Sequence, residues 1–543
     1  MSSAATAPAI LAAASSAPAR RTINPWLVAL SVVVPTFMEV LDTTIANVAL
    51  RYIAGGLSAA VTDSEWVLTS YLAANAIILP ISGWISNRLG RRNYFLLSIA
   101  VFTLASGLCG VATSLGQLIF FRVMQGLAGG GLQPSSQAIL LDTFPPEKQG
   151  IAQTVFGVAA LIAPVLGPTL GGYITDEYSW RWIFYINLPV GVLALVACYL
   201  TVHDPPYLVA QRKEARAHSG PFDVGGLSIL AVTLVCWEIL LSKGQEWDWF
   251  GDPFGRVQTL ASLFFVGAVG LYFWEGRQAN PVVNFKPFRD RNFSCACLLI
   301  FSAYAVLYGS STTLPSMLES LFGYDAFHAG LVLSPAGFFS ILALIIVGRV
   351  LGRGVDARWV IAAGLLILGA GNFWLSRLNL DIAPGQVVWP RVVMIVGLGL
   401  IFAPVNVAAY LYMPRQLRPA AVGLLALLRN EGGSVGISLS QTLTERREQF
   451  HGLRLNEGLD MLNPSVNSYL GQAQAPFLQQ TGDPVASSQM AWQSLDNLRT
   501  QQAAALSYFD AFLIFAVLAC LLVLLVLLMK RSVIEKGAHI AAE

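Results

Sequence analysis

Two carboxylates stand close together in an apolar stretch near the start of the chain, Phe37-Met38-Glu39-Val40-Leu41-Asp42-Thr43-Thr44. Spaced three residues apart, Glu39 and Asp42 share one face of a helix. In a medium of low dielectric they do not both ionise readily, so such a pair can load and release a proton. A carboxylate that only hydrogen-bonds a neighbouring helix would read the same way. Arg122 lies in another apolar run and, if buried, needs a partner; Asp42, Glu39 and Gln125 are the candidates. Arg429-Asn430-Glu431 is a third polar cluster in an apolar run. Adjacent helical residues point about 100° apart, so Arg429 and Glu431 diverge. The triplet reads either as a polar clamp between helices or as a contact for substrate or proton.

The composition says what surrounds these groups. Only 12% of the 543 residues are charged, 55% are hydrophobic and the mean hydropathy is +0.61. A soluble domain is roughly a quarter charged, so lipid is the main solvent of this chain. Disorder and nucleic-acid binding are excluded as its main theme. The six cysteines (109, 198, 236, 295, 297 and 520) form no CxxC pair or Cys/His cluster, which argues against a metal site or a disulfide framework. Gly129-Gly130-Gly131 lacks the ending of a phosphate-binding loop. With no cofactor, metal or catalytic group implied, the chain does not read as an enzyme, and ATP is not its direct energy source.

A helix needs about 20 mostly apolar residues to cross a bilayer. The runs 26–49, 66–86, 94–113, 117–140, 150–173, 182–202, 223–242, 257–275, 294–318, 327–348, 358–376, 388–412, 419–443 and 507–529 meet this. A tail at 1–25, without the pattern of a signal peptide, reads as disordered and cytoplasmic. With the N-terminus inside, about 21 of the 33 basic residues fall on inner loops and ends, including Arg88, Arg91, Arg92, Arg349, Arg353 and Lys530. Both termini are then cytoplasmic. In this frame Arg122 and Asp42 lie at about the same depth, roughly 8–12 Å from the outer ends of their spans. Arg391, Glu238 and Glu275 read as interfacial.

Proline and glycine give a second signal. Pro164-Val165-Leu166-Gly167-Pro168-Thr169-Leu170-Gly171-Gly172 describes a kinked, closely packed fifth span. Gly83-Trp84-Ile85-Ser86-Asn87-Arg88-Leu89-Gly90-Arg91-Arg92 is a short basic inner loop, echoed by Gly348-Arg349-Val350-Leu351-Gly352-Arg353. The echo hints at two related halves.

Taken in order, these motifs resemble the drug:proton antiporter branch of the major facilitator superfamily in its form with about 14 spans. The group is EmrB/QacA, and within it the EmrB-like members. Leu41-Asp42-Thr43-Thr44-Ile45-Ala46-Asn47-Val48-Ala49-Leu50 resembles the first-helix motif, with Arg51 where proline is usual, and 83–92 resembles the signature loop, with Asn87 for the usual Asp. Arg122-Val123-Met124-Gln125-Gly126 resembles the fourth-helix motif, whose arginine is associated with proton transfer. Gly167-Pro168-Thr169-Leu170-Gly171-Gly172 resembles the antiporter motif of the fifth helix, and Trp180-Arg181-Trp182-Ile183-Phe184-Tyr185-Ile186-Asn187-Leu188-Pro189 is similar to the stretch that follows it.

The resemblance implies an all-α integral membrane protein of the major facilitator fold. It places a six-helix bundle at 26–202, two inserted helices with linkers at 203–293 and a second bundle at 294–530, followed by a cytoplasmic tail at 531–543. The second bundle includes a long periplasmic loop at 444–506. The implied activity is export of hydrophobic or amphiphilic compounds by alternating access, in exchange for protons, in the bacterial inner membrane. Proton coupling would fall to Asp42, Glu39, Arg122 and Glu431. The conformational motif would comprise Gly83, Asn87, Arg88, Gly90, Arg91, Pro164, Gly167, Pro168, Gly171 and Gly172. Met38, Tyr71, Gln125, Tyr304, Tyr308, Phe402, Arg429 and Asn430 are the expected cavity contacts. The resemblance also implies a periplasmic membrane-fusion adaptor and a TolC-type outer-membrane channel as partners; the composition of 444–506 equally suits a loop folding over the outer mouth. Export of a self-made metabolite or siderophore, and a membrane sensor or scaffold, are the alternative readings.

Overall fold

The computed structural model describes residues 24–145, 148–205, 223–278, 281–414, 417–460 and 462–532, and every element among them is helical. Of the expected tails, 1–23 and 533–543 lie outside the described residues, as do the basic residues Arg212, Lys213, Arg216, Arg415 and Lys536. The first half contains α1 (Pro25–Val48), α2 (Trp66–Leu89), α3 (Arg91–Gly110), α4 (Leu115–Gly129), α5 (Leu132–Thr143), α6 (Gln149–Glu177) and α7 (Asn187–Thr201). Next come α8 (Val224–Lys243) and α9 (Arg256–Arg277). The second half holds α10 (Arg291–Phe322), α11 (Ala326–Leu333), α12 (Pro335–Gly352), α13 (Ala357–Ser376), α14 (Pro384–Tyr410), α15 (Arg418–Asn456), α16 (Pro464–Thr481) and α17 (Pro484–Leu521).

Each of the fourteen expected spans falls on helix. Among the described residues eleven helices are long and apolar enough to cross a membrane, or twelve when the bent α6 is included. The fourth expected span is broken at Gly130-Gly131 into α4 and α5, and the thirteenth, in α15, carries Arg429, Asn430 and Glu431. Side chains of their own sequence start these rods: Asn24 accepts from the Trp26 N–H, Ser114 from Gln117, Asp223 from Gly226 and Asp290 from Phe293. The expected basic loop 83–92 shrinks to one residue. Gly90, at φ 92°, turns α2 directly into α3, a conformation open to glycine.

Glycines set how closely the rods approach. In the first half a Cβ on Gly126 would lie 2.4 Å from the Tyr71 carbonyl, and one on Gly130 would lie 2.6 Å from that of Asn75, so α4 is pressed backbone to backbone on α2. In the second half, a Cβ on Gly432 or Gly436 would stand 2.1 Å from the carbonyls of Phe301 or Ala305, pressing α15 onto α10. Helix α6 bends by 41° at Pro164 and lies against α1: a Cβ on Gly167 would meet Thr44 Oγ1 at 2.1 Å and one on Gly171 would meet Ile45 Cγ1 at 2.9 Å.

The halves meet at both ends. Thr169 packs on Gly330 and Tyr173 on Phe327 at one end. Thr154 faces Gly348, and Leu79 and Pro80 face Gly423, at the end bearing Gly90. A cavity remains between them. Helix α8 lies against α2 and α15, while α9 packs on α8 and keeps only 11% of its apolar window buried, a lipid-facing helix.

Three sequence expectations change. Arg391 does not reach an interface: it is 1% exposed in α14 and donates to Ser311 Oγ at 2.8 Å, because α14 is central to its half. Glu275 is buried too, accepting the Val282 and Val283 N–H groups at 3.0 and 3.2 Å and so closing the turn after α9. The segment 444–506 is not an open loop. Helices α15 and α17 continue well beyond their apolar parts and α16 packs on α17, forming a helical projection pinned by Arg447 and His451 on Asp510 at 2.6 and 2.7 Å.

Candidate functional site

Asp42 and Arg122 meet. The Arg122 Nη1 donates to Asp42 Oδ2 at 2.5 Å, and neither side chain reaches the surface. The glycine-tight seam between α2 and α4 also places the Arg122 Nε on the Val67 carbonyl at 3.0 Å and its guanidinium 4.2 Å from the Tyr71 ring. Asp42 Oδ1 accepts from Gln125 Nε2 at 3.0 Å and from Asn187 Nδ2 at 2.7 Å. A buried ion pair needs such further hydrogen bonds to offset its desolvation.

Glu39, expected to share a site with Asp42, takes a separate set of partners. Its Oε2 accepts from Gln133 Nε2 at 2.5 Å and its Oε1 from Asn75 Nδ2 at 3.1 Å. Gln133 in turn accepts from Arg429 Nη2. A continuous chain therefore runs from α1 in the first half, through α5, to α15 in the second. A second bridge lies beside it, Gln137 Nε2 on Asn406 Oδ1 at 3.2 Å.

Arg429, Asn430, Tyr304, Tyr308 and Gln133 line the cavity with Val40, Thr43 and Ser434. The two tyrosines stack at 6.1 Å and Arg429 stands 5.8 Å from the Tyr304 ring. Asn430 Nδ2 and Tyr304 OH are buried with no hydrogen-bond partner among the described residues. The other expected cavity residues are not in the lining of this cavity. Met38 is packed in the core, Tyr71 lies beneath Arg122, Gln125 is spent on Asp42 and Arg122, and Phe402 stacks on Phe156 at 6.1 Å.

Glu431 does not join Glu39. It faces Glu238 of α8, which accepts from Ser434 Oγ at 3.1 Å. Glu238 was expected at an interface, but it is 2% exposed because α8 lies flat on α15. Of the conformational motif, Gly83 and Asn87 lie in the last turns of α2. Arg88 sits over Trp84 at 5.4 Å, and Arg91 pairs with Asp142 while donating to the Ala138 carbonyl, tying α3 to the end of α5. Pro164, Gly167, Pro168, Gly171 and Gly172 all lie in α6. Sequence reasoning does not single out Asn75, Gln133 and Asn187; the signal for each is a lone amide within an apolar run.

Residues 32–437 match the family model of the Major Facilitator Superfamily. Multidrug export protein EmrB of Escherichia coli (strain K12) is 35% identical over 443 residues, covering 80% of this chain and 83% of that one. Fatty acid resistance protein FarB of Neisseria gonorrhoeae is 35% identical over 430 residues, 79% of this chain and 83% of its own. The solved structure of the proton:xylose symporter XylE bound to 6-bromo-6-deoxy-D-glucose superposes with a TM-score of 0.57 at 13% identity. It covers 92% of this chain and 94% of that one, a likeness of fold alone.

Proposed function

The chain belongs to the major facilitator superfamily, and we propose that it is a proton-coupled multidrug efflux antiporter. It exports hydrophobic or amphiphilic compounds across the bacterial inner membrane by alternating access, with both termini in the cytoplasm. Relatives named for multidrug export and fatty acid resistance support this class of cargo. The observation that carries the coupling is the chain Glu39–Gln133–Arg429, which joins the two halves at the wall of the cavity.

A proton arriving from the outer water converts the Glu39 carboxylate to a neutral acid and weakens its hold on Gln133, and through it on Arg429. Protonation of Asp42 releases Arg122 in the same way. Loss of these contacts biases the halves towards one facing, and release of the proton inside restores them. The stacked Tyr304 and Tyr308 suit a flat apolar body, and Arg429, the charged group on the cavity wall, suits an anionic head. The projection built from α15, α16 and α17 offers a rigid surface to a periplasmic membrane-fusion adaptor, which would pass cargo to a TolC-type outer-membrane channel.

Proteoliposomes with an imposed pH gradient test the reading. Acid inside inverted vesicles should drive uptake of a lipophilic weak acid or dye, with proton efflux of matching time course. Uptake that ignores the gradient would overturn the proton-coupled assignment.

A further inference from the structure

The cavity chemistry uses Glu39, Asp42 and Arg429 and leaves Glu431 and Glu238 unexplained. Both are buried, at 5% and 2% exposure, on helices that press together. Among the described residues neither oxygen of Glu431 has a well-aligned hydrogen-bond donor; the Trp237 indole beside it carries no charge, and the carboxyl that faces it, Glu238, is another acceptor. Two ionised carboxylates in contact and out of water, with no cation between them, are not a stable arrangement. The surrounding groups do not supply one. On α15, Arg429 is turned to Gln133. On α8, Lys243 engages Glu65 and Glu246 at the helix end, and Trp237 is stacked on Phe264 of α9 beside Glu431. From α2, Thr69 reaches Ser242 rather than either acid.

A polar track leads to the pair. Ser434, Ser438 and Thr442 follow Glu431 at spacings of three and four along one face of α15. Ser438 Oγ is buried without a partner, and Thr442 meets the Trp249 Nε1 at 3.1 Å at the loop between α8 and α9. The distance from Glu431 to Thr442 along the helix is about 16 Å. Ser434 itself lines the cavity while donating to Glu238, so the acid pair stands directly behind the cavity wall.

We propose that Glu238 and Glu431 form a second proton-binding site, holding one proton between two carboxyl groups and supplied from the loop end along Ser438 and Ser434. Binding forms one O–H bond, takes the pair from two negative charges to one, and turns one carboxyl into a donor to the other. Losing that proton drives α8 and α15 apart. The inserted pair α8 and α9 thereby becomes a moving part of the transporter. The inference extends the proton-coupled reading, although its test reads the bound proton and not transport.

Infrared difference spectroscopy on the full chain in lipid nanodiscs, titrated with alkali, tests it. The triple variant Glu39→Gln/Asp42→Asn/Arg122→Gln removes the other buried acids of the site without leaving Arg122 unpaired and serves as background. A protonated-carboxyl band is expected in that background and should be lost in both Glu238→Gln and Glu431→Gln. Ser434→Ala, which leaves both carboxyls in place, should shift the band without removing it, and guards against a variant that fails to fold. A band absent from the background at every pH, or persisting in both single-glutamine variants, overturns the site. If the band behaves as expected while the pH gradient drives no uptake, the proton-coupled reading fails and the site stands.

Discussion

Asp42 Oδ2 lies 2.5 Å from Arg122 Nη1, an ion pair with both partners fully withdrawn from solvent. Removing one member strands the other, a loss of about 3–5 kcal/mol for buried pairs. Asp42→Asn and Arg122→Gln should each lower the thermal midpoint of purified protein markedly. The double variant should recover much of the loss, since no charge is then left alone. All three should fail to couple export to protons. A double variant as unstable as the summed singles would mean that the two residues act independently.

Glu39 gives a different expectation, because its partners reach the cavity. Protonating Glu39 loosens Gln133 and frees Arg429 for an anionic head, so affinity of the wild type for a cargo that stays anionic strengthens as pH falls. The slope is at most about tenfold per pH unit, the limit for one linked proton. Glu39→Gln keeps the hydrogen-bonding outline without the charge and should bind cargo with little pH dependence. Isothermal titration with one lipophilic cargo across several pH values reads the slope directly. A slope unchanged in Glu39→Gln would place the linked proton elsewhere.

What the sequence disclosed follows from the kind of signal each feature leaves. Apolar length located the helices, and matching depth along α1 and α4 paired Asp42 with Arg122, because charges in lipid are few enough to be matched one by one. Amides leave no such mark. Asn75, Asn187 and Gln133 were passed over because one amide among apolar residues does not say whether it faces a carboxylate, and Gln133 matters only because Arg429 approaches from the other half. Glu238 was misplaced for a related reason: whether α8 turns its acid to lipid headgroups or to α15 depends on how the inserted helices dock. The polar run 444–506 lacks apolar periodicity, so its extension of α15 and α17 was hidden.

The loop between α8 and α9 carries its own pH signature. Asp252 is held down to about 2, first by the Arg256 side chain and then by the N–H groups of Phe254, Arg256 and Val257. A lowered value means that the ionised form favours the folded loop. That contribution is complete above the ordinary carboxyl value of about 4 and is lost as pH falls towards 2. Asp252→Asn should therefore raise amide hydrogen exchange in 250–257 at neutral pH, with the difference from wild type closing on acidification. A difference that persists at the lowest pH would assign the effect to shape and not to charge.

The seam between α1 and α6 offers the sharpest steric test. A Cβ at Gly167 would lie 2.1 Å from Thr44 Oγ1 and 2.6 Å from Thr44 Cβ, inside any tolerable contact, so the helices must separate. Overpacking of this kind costs about 1–3 kcal/mol. It also displaces the stretch of α1 that carries Asp42, two residues from Thr44, away from Arg122 and Asn187. Gly167→Ala should lower the thermal midpoint and reduce export several-fold. Adding Thr44→Ala removes the hydroxyl at 2.1 Å but leaves the Cβ at 2.6 Å, and should restore part of the loss. Gly116→Ala, at a position where nothing lies within 4 Å, is the matched control and should export as the wild type does. Normal export by Gly167→Ala would show that α1 and α6 do not need this close approach, and the fifth-helix motif would then lose its physical basis in this chain.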